Sequence, residues 1–221
     1  MLGLTFDVSE ASPLRVLCLG AHCDDIEIGC GGTILNLAKA GCKLDVHWVV
    51  FGSDDRRKQE AVRSASAFLA DVPTRRVSVH ALRDGFFPYL GVDLKELFEQ
   101  LKAEFSPDLI LTHYRQDLHQ DHRLVSEMTW NTFRNHLILE YEIPKYDGDF
   151  GSPNVFVPLD ESICRRKIDT ILDAYQSQRR KHWFSRELFL SILRLRGMEA
   201  NASGGYAEGF YCRKAVLGTE I

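Results

Sequence analysis

Apolar runs alternate with helix-patterned segments through the first half of this chain, and that alternation constrains its fold more than any other feature. Arg15 to Ala21 reads as a buried strand and Gly31 to Ala40 as a helix, then Lys43 to Phe51 as a second strand and about Asp54 to Ala70 as a long helix. Arg76 to Leu82 is a third strand. Asp93 to Phe105 follows as a helix, with Leu94, Leu97, Phe98 and Leu101 at helical spacing, and Pro107 introduces a short strand, Asp108 to Thr112. Such alternation implies parallel strands joined by right-handed crossovers, with helices on both faces of the sheet. Past His119 the pattern predicts a helix to about Arg134, a strand over Leu137 to Ile143 and a polar loop over Pro144 to Pro153. A strand over Asn154 to Val157, helices over Ile163 to Tyr175 and Ser185 to Leu195, and a loop over Asn201 to Gly205 complete the expectation. With no repeat and no linker, residues 1–221 are expected to form one α/β domain around a mostly parallel sheet.

The chain is 45% hydrophobic and 26% charged, enough apolar material for one sizeable core. A formal charge of −4 gives no reason to expect nucleic acid or an anionic membrane as partner. The basic cluster Arg179-Arg180-Lys181-His182 reads as a solvated helix face. Six cysteines show no C-x-x-C pairing and several lie among apolar residues, as expected of buried free thiols in a reducing compartment. Met1 to Ala11 lacks the basic and long apolar stretches of a secretory signal, and nothing approaches a membrane span in length. A cytoplasmic protein acting on a small molecule is the expectation, and a homo-oligomer is compatible with it.

In sheets of this kind ligands gather beyond the carboxyl ends of the strands. The loop after Gly20 carries Ala21-His22-Cys23-Asp24-Asp25. Two adjacent carboxylates beside an apolar strand are expensive to bury unless something positive neutralises them, and a divalent metal would do so. His22 and Asp25, three apart, can address one side of a tight turn; Asp24 then diverges and becomes a candidate base beside the metal. The plainer alternative is an acidic turn capping a helix. A dinucleotide loop at Gly29, Gly31 and Gly32 fails on spacing, and two acids stand where a pyrophosphate would lie. After Thr112, Asp117, His119, Asp121 and His122 fall within six positions. One histidine would bind metal while the other reaches the substrate, and Asp121 or Asp117 would hold a ring in one tautomer. His22, Asp25 and one later histidine make a catalytic zinc set, three protein ligands with a position left open for water.

These residues resemble the PIG-L/LmbE family of zinc-dependent N-deacetylases. Ala21-His22-Cys23-Asp24-Asp25 with Gly29-Cys30-Gly31-Gly32 resembles its A-H-P-D-D...G-x-G-G signature, and His119-Gln120-Asp121-His122 its H-x-D-H motif. Arg57-Lys58-Gln59-Glu60-Ala61, Ser177-Gln178 and Tyr206-Ala207-Glu208-Gly209-Phe210 are similar to its R-x-x-E-A, S-Q and Y-A-E-x-F segments. The resemblance implies a Rossmann-like three-layer sandwich, with zinc (Zn2+) held by His22, Asp25 and His122. It also implies Asp24 as general base, a charged His119 as oxyanion stabiliser, Asp121 as support for His119, and Arg57, braced by Glu60, as substrate contact. The implied activity is removal of an acetyl group from the amide nitrogen of an N-acetylated sugar such as an N-acetylglucosamine derivative. Other acyl or ester substrates, or a non-catalytic nucleotide- or sugar-binding module, are the alternatives. Cys23 departs from the family's proline and removes no ligand. The family's active-site tyrosine has Tyr141, Tyr146 and Tyr206 as candidates.

Overall fold

The computed structural model describes residues 13–216, together with Gly3 and Thr5; apart from those two, the stretch Met1 to Ala11 lies outside the described residues. Seven strands form one sheet in the order β3-β2-β1-β4-β5-β7-β6. Strands β1 (Leu14–Gly20), β2 (Leu44–Gly52), β3 (Thr74–Leu82), β4 (Leu109–His113) and β5 (Leu137–Tyr141) pair in parallel. Strand β7 (Tyr206–Cys212) runs antiparallel between β5 and the edge strand β6 (Val155–Leu159). The central strands are buried on both faces, which is why they read as nearly continuous apolar runs. Along β1, Val16 and Cys18 face one core and Leu17 and Leu19 the other, all with 0% exposure.

Helices α1 (Asp25–Lys39), α2 (Asp55–Phe68), α5 (Glu161–Ala174) and α6 (Arg186–Glu199) cover the first face. Helices α3 (Gly91–Glu104) and α4 (Gln120–Thr132) cover the second, through Leu94, Phe98, Leu101 and Val125. The result is the expected three-layer α/β sandwich. Among the described residues no helix is long and apolar enough to cross a membrane, and all six cysteines are free thiols.

Two elements differ from the sequence reading. Helix α1 begins at Asp25, not Gly31, so the His-Cys-Asp-Asp loop runs straight into a helix N-terminus, where acidic Asp25 and Glu27 suit the helix dipole. Three weak helix formers, Gly29, Gly31 and Gly32, obscure the period. Packing requires them: a Cβ at Gly29 would lie 2.1 Å from the Tyr141 ring, at Gly31 2.5 Å from Phe68, and at Gly32 2.6 Å from Leu159. They admit neighbours rather than cradle a phosphate. The second difference is β7, absent from the sequence reading. Its Glu208 is buried and accepts from Gly32 N (2.8 Å), Thr33 N (2.6 Å) and Lys167 Nζ (2.5 Å), tying β7 to α1 and α5.

His47 on β2 is buried against Phe105, with Nε2 3.0 Å from Ser78 Oγ. Burial, then the charge of Arg76, lowers its pKa to about 4. The unfolded ring, near 6.5, binds a proton that the folded one refuses. This stabilisation is therefore present above pH 6.5 and lost as pH falls from 6.5 through 4. Thermal melts at pH 7 and pH 5 should show a smaller acid-induced drop for His47→Gln than for the wild type.

Candidate metal centre

The strand order reverses between β1 and β4: the chain runs outward from β1 through β2 to β3, then returns to place β4 on the other side of β1. Loops diverging from such a point leave a crevice above the carboxyl ends. The loop after β1 brings His22, Asp24 and Asp25. The loop after β3 brings Asp84, and that after β4 brings Asp117, His119, Asp121 and His122. Asp25 opens α1, while His119 caps α4.

Three atoms that could hold a metal converge. His22 Nδ1 lies 3.1 Å from His122 Nε2, and Asp25 Oδ2 lies 3.5 Å from the former and 3.6 Å from the latter. Donors about 2.0–2.1 Å from a tetrahedral zinc are separated by roughly 3.4 Å. The far side of each ring is held by carboxylates. His22 Nε2 is 3.1 Å from Asp121 Oδ2 and 3.0 Å from Asp84 Oδ1, and His122 Nδ1 is 2.9 Å from Asp117 Oδ2. Those outer nitrogens must therefore be N–H donors, which leaves lone pairs on the two nitrogens that face each other. With both rings neutral, two lone pairs and a carboxylate oxygen point at one spot and repel unless a proton or a metal cation sits between them. The donor set fits a divalent metal, and further groupings that share His22, Asp25 or His122 include His113, His119 or Asp84.

The electrostatics agree. Burial opposes charge on His22, but Asp121, Asp25 and Asp84 outweigh it and push the ring well above its ordinary pKa, so the cluster draws positive charge. Burial and neighbouring His113 hold His122 down to about 4, which preserves its lone pair. Burial works against the Asp25 carboxylate, but the His122 and His113 charges keep its pKa well below the usual range.

Asp24 diverges from Asp25. Although it is the cap residue of α1, its side chain makes no cap bond; Oδ1 accepts from Arg57 Nη2 at 2.8 Å. Its Oδ2 is buried and makes no hydrogen bond among the described residues. Burial raises its pKa, against the opposing charge of Arg57.

Several expected contacts are redrawn. Asp121 does not hold His119 through a hydrogen bond: its oxygens take His22 Nε2, Gly85 N (2.7 Å) and Phe87 N (3.1 Å), so it orients His22 and anchors the loop after β3. His119 is lowered by burial and by the charge of His22, with Asp121 only a smaller opposing influence. Its Nδ1 accepts from Asp121 N at 3.3 Å, which leaves Nε2 as the N–H of a neutral ring. Arg57 sits in the first turn of α2, paired to Asp24 and 3.6 Å from Asp84 Oδ2. Glu60 braces Ser177 (N–O 3.0 Å) and lies 3.7 Å from Arg56 rather than holding Arg57. Of the candidate tyrosines, Tyr141 is buried and donates to Leu19 O at 2.6 Å, Tyr146 is exposed, and Tyr206 packs against Arg194.

The sequence reading missed three neighbours. His113 closes β4, stacks on His122 at 4.0 Å between ring centroids, and lies 3.2 Å from Asp25 Oδ2. Asp84 is a lone acid in a turn, and Tyr175 seals the loop from below by bonding Cys23 O and Glu27. Ending β4 one residue later would have put His113 at a strand's carboxyl end. Neither Asp84 nor Tyr175 carries a local signal. Cys23 Sγ faces the Gly52 carbonyl at 3.5 Å, and burial raises its pKa, so it is a poor nucleophile. On a metal-dependent reading, Cys23→Ser should keep the metal and measurable turnover, as metal analysis and a rate assay would show.

The fold is shared with several solved structures. N,N'-diacetylchitobiose deacetylase from Pyrococcus horikoshii matches with a TM-score of 0.67 and 22% identity over 91% of this chain and 84% of its own. GalB, the 4-carboxy-2-hydroxymuconate hydratase from Pseudomonas putida KT2440, matches with a TM-score of 0.73 and 17% identity over 94% and 99%. The zinc-inhibited form of teicoplanin deacetylase Orf2 matches with a TM-score of 0.68 and 16% identity over 90% and 97%. A hydratase among deacetylases shows that this fold does not by itself select a reaction. The PIG-L family model, described as GlcNAc-PI de-N-acetylase, matches residues 17–133, a span that holds His22, Asp25 and His122 and just over half of the chain. This chain belongs to the PIG-L family.

Proposed function

We propose that this protein is a zinc-dependent N-deacetylase of N-acetylated sugars. The observation that carries the reading is the convergence of His22 Nδ1, Asp25 Oδ2 and His122 Nε2, with the outer ring nitrogens tied to carboxylates. Membership of the PIG-L family supports the choice of acyl transfer to water. The seven-stranded sheet runs through both the matched and unmatched residues, which supports reading 1–221 as one deacetylase domain.

Zinc bound to these three residues would lower the pKa of water to roughly 7 and polarise the amide carbonyl. Asp24, with Oδ2 unengaged and its pKa raised, takes the proton of the attacking water and returns it to the departing amine nitrogen. Arg57 holds the other Asp24 oxygen and so fixes where the free one points. His119 donates Nε2–H to the developing oxyanion without needing a charge, a modification of the role the family resemblance implies. The C–N bond breaks, and the products are acetate and a free amino sugar.

Incubating the zinc-loaded protein with a panel of N-acetylated amino sugars and their glycosides tests this. Acetate and primary amine should appear in equal amounts. Absence of both across the panel, with turnover instead by water addition to a carbon–carbon double bond, would contradict it.

A further inference from the structure

The loop that follows β5 carries a largely enclosed cation that the mechanism above does not use. Lys145 Nζ lies 2.9 Å from Asp117 Oδ2 and also pairs with Asp149; the three side chains are 9%, 2% and 7% exposed. Asp117 is shared. Its Oδ2 also accepts from His122 Nδ1 at 2.9 Å, and its Oδ1 accepts from His119 N at 2.8 Å. Asp149 Oδ2 accepts from Leu118 N at 2.7 Å. The segment Asp117-Leu118-His119 is therefore gripped at three successive residues, and Lys145 touches both carboxylates that do the gripping.

We propose that Lys145 is a positioning residue for the metal centre: through Asp117 it keeps His122 in the Nδ1–H form with Nε2 turned to the cluster, and through Asp149 it fixes the backbone leading to His119. The proposal rests on the metal-dependent reading above. A surface ion pair would contribute little, but these groups are almost fully enclosed. A buried carboxylate whose ring partner is a neutral imidazole lacks a compensating charge, and a cation in contact makes its burial less costly. Arg57 pairs with Asp24 and Asp84, and Arg123 donates to the carbonyl oxygens of Asp117 and Leu118 rather than to either carboxylate. Without Lys145, Asp117 would turn toward water, and the acceptor that selects the His122 tautomer would be lost. Outer partners of this kind typically contribute about 10–100-fold to metal affinity.

The test is zinc affinity, measured by chelator competition on the metal-free full chain, for wild type, Lys145→Met, Lys145→Arg, Asp117→Asn and the Lys145→Met/Asp117→Asn double variant. Lys145→Met keeps the length of the side chain and loses the charge, and should weaken zinc binding by about 10–100-fold. Lys145→Arg should retain most of the affinity. In the Asp117→Asn background, removing Lys145 should weaken binding little further, because its effect passes through that carboxylate. Lys145→Met binding zinc as tightly as the wild type, or an equal loss in both backgrounds, overturns the proposal. So does a lower melting temperature of the metal-free protein with unchanged affinity, the mark of a merely structural role. Should Lys145→Met fail to fold by circular dichroism, Lys145→Arg decides alone: retained affinity supports the proposal and a loss of tenfold or more, about the least expected from losing the partner, overturns it. A wild type that binds no zinc would instead sink the metal reading itself.

Discussion

Asp24→Asn should keep its zinc and lose about a hundredfold to ten-thousandfold in deacetylation rate, the range typical of a lost general base. The substitution preserves shape, and the asparagine carbonyl can still accept from Arg57 Nη2, which now lies 2.8 Å from Asp24 Oδ1. The change falls on the other oxygen, the one that is buried and makes no hydrogen bond among the described residues. An amide NH2 in that place donates and cannot take a proton from water. The metal should persist because Asp24 makes none of the three converging contacts. Zinc content and acetate release, measured on the same preparation, check both halves. Metal loss would make Asp24 a ligand, and an unchanged rate would remove it from the proton path.

The converse pattern is expected at the ligands. Asp25→Asn and His122→Ala should each lower zinc affinity by more than about a hundredfold, the upper end for losing only an outer partner, and activity should fall with it. Asp25 Oδ2 is the one anionic atom of the triad, lying 3.2 Å from His113 Nε2 and 3.5 and 3.6 Å from the two ligand nitrogens. A neutral amide oxygen there is a poorer zinc ligand and leaves the cluster of imidazoles uncompensated. Asp121→Asn should fall between these extremes. Because its carboxylate orients His22 rather than His119, it should weaken zinc binding by about 10–100-fold instead of slowing the reaction at full occupancy. Equilibrium zinc titrations compared with rates at saturating zinc separate the two roles. Wild-type affinity in Asp25→Asn and His122→Ala would refute the ligand set.

The parallel sheet was legible because its strands are buried on both faces and separated by amphipathic helices, a pattern written in the order of apolar residues along the chain. The His22–Asp25 and His119–His122 loops were legible because reactive side chains crowd the carboxyl ends of strands. What stayed hidden depends on distance along the chain. Glycines chosen to admit Tyr141, Phe68 and Leu159 look like helix breakers until those neighbours are in place. The partner of Asp121 is His22, 99 residues away, and not His119 two residues away. Sequence proximity favoured the wrong ring. Lys145 reads as part of a polar loop because nothing local shows that Asp117 lies beneath it. Spacing identifies candidates within one loop, while the hydrogen bonds that assign their roles cross between loops.

Metal dependence of acyl hydrolysis is the claim on which the rest depends, and stoichiometric reconstitution tests it most directly. Metal-free protein would be titrated with zinc while acetate release from an N-acetylglucosamine glycoside accepted by the wild type is followed. Activity should rise from background and level off at one zinc per chain, as the convergence of His22, Asp25 and His122 on one spot predicts. Full acetate release by the metal-free protein, or one zinc bound with no hydrolysis of any N-acetylated sugar, would contradict the account.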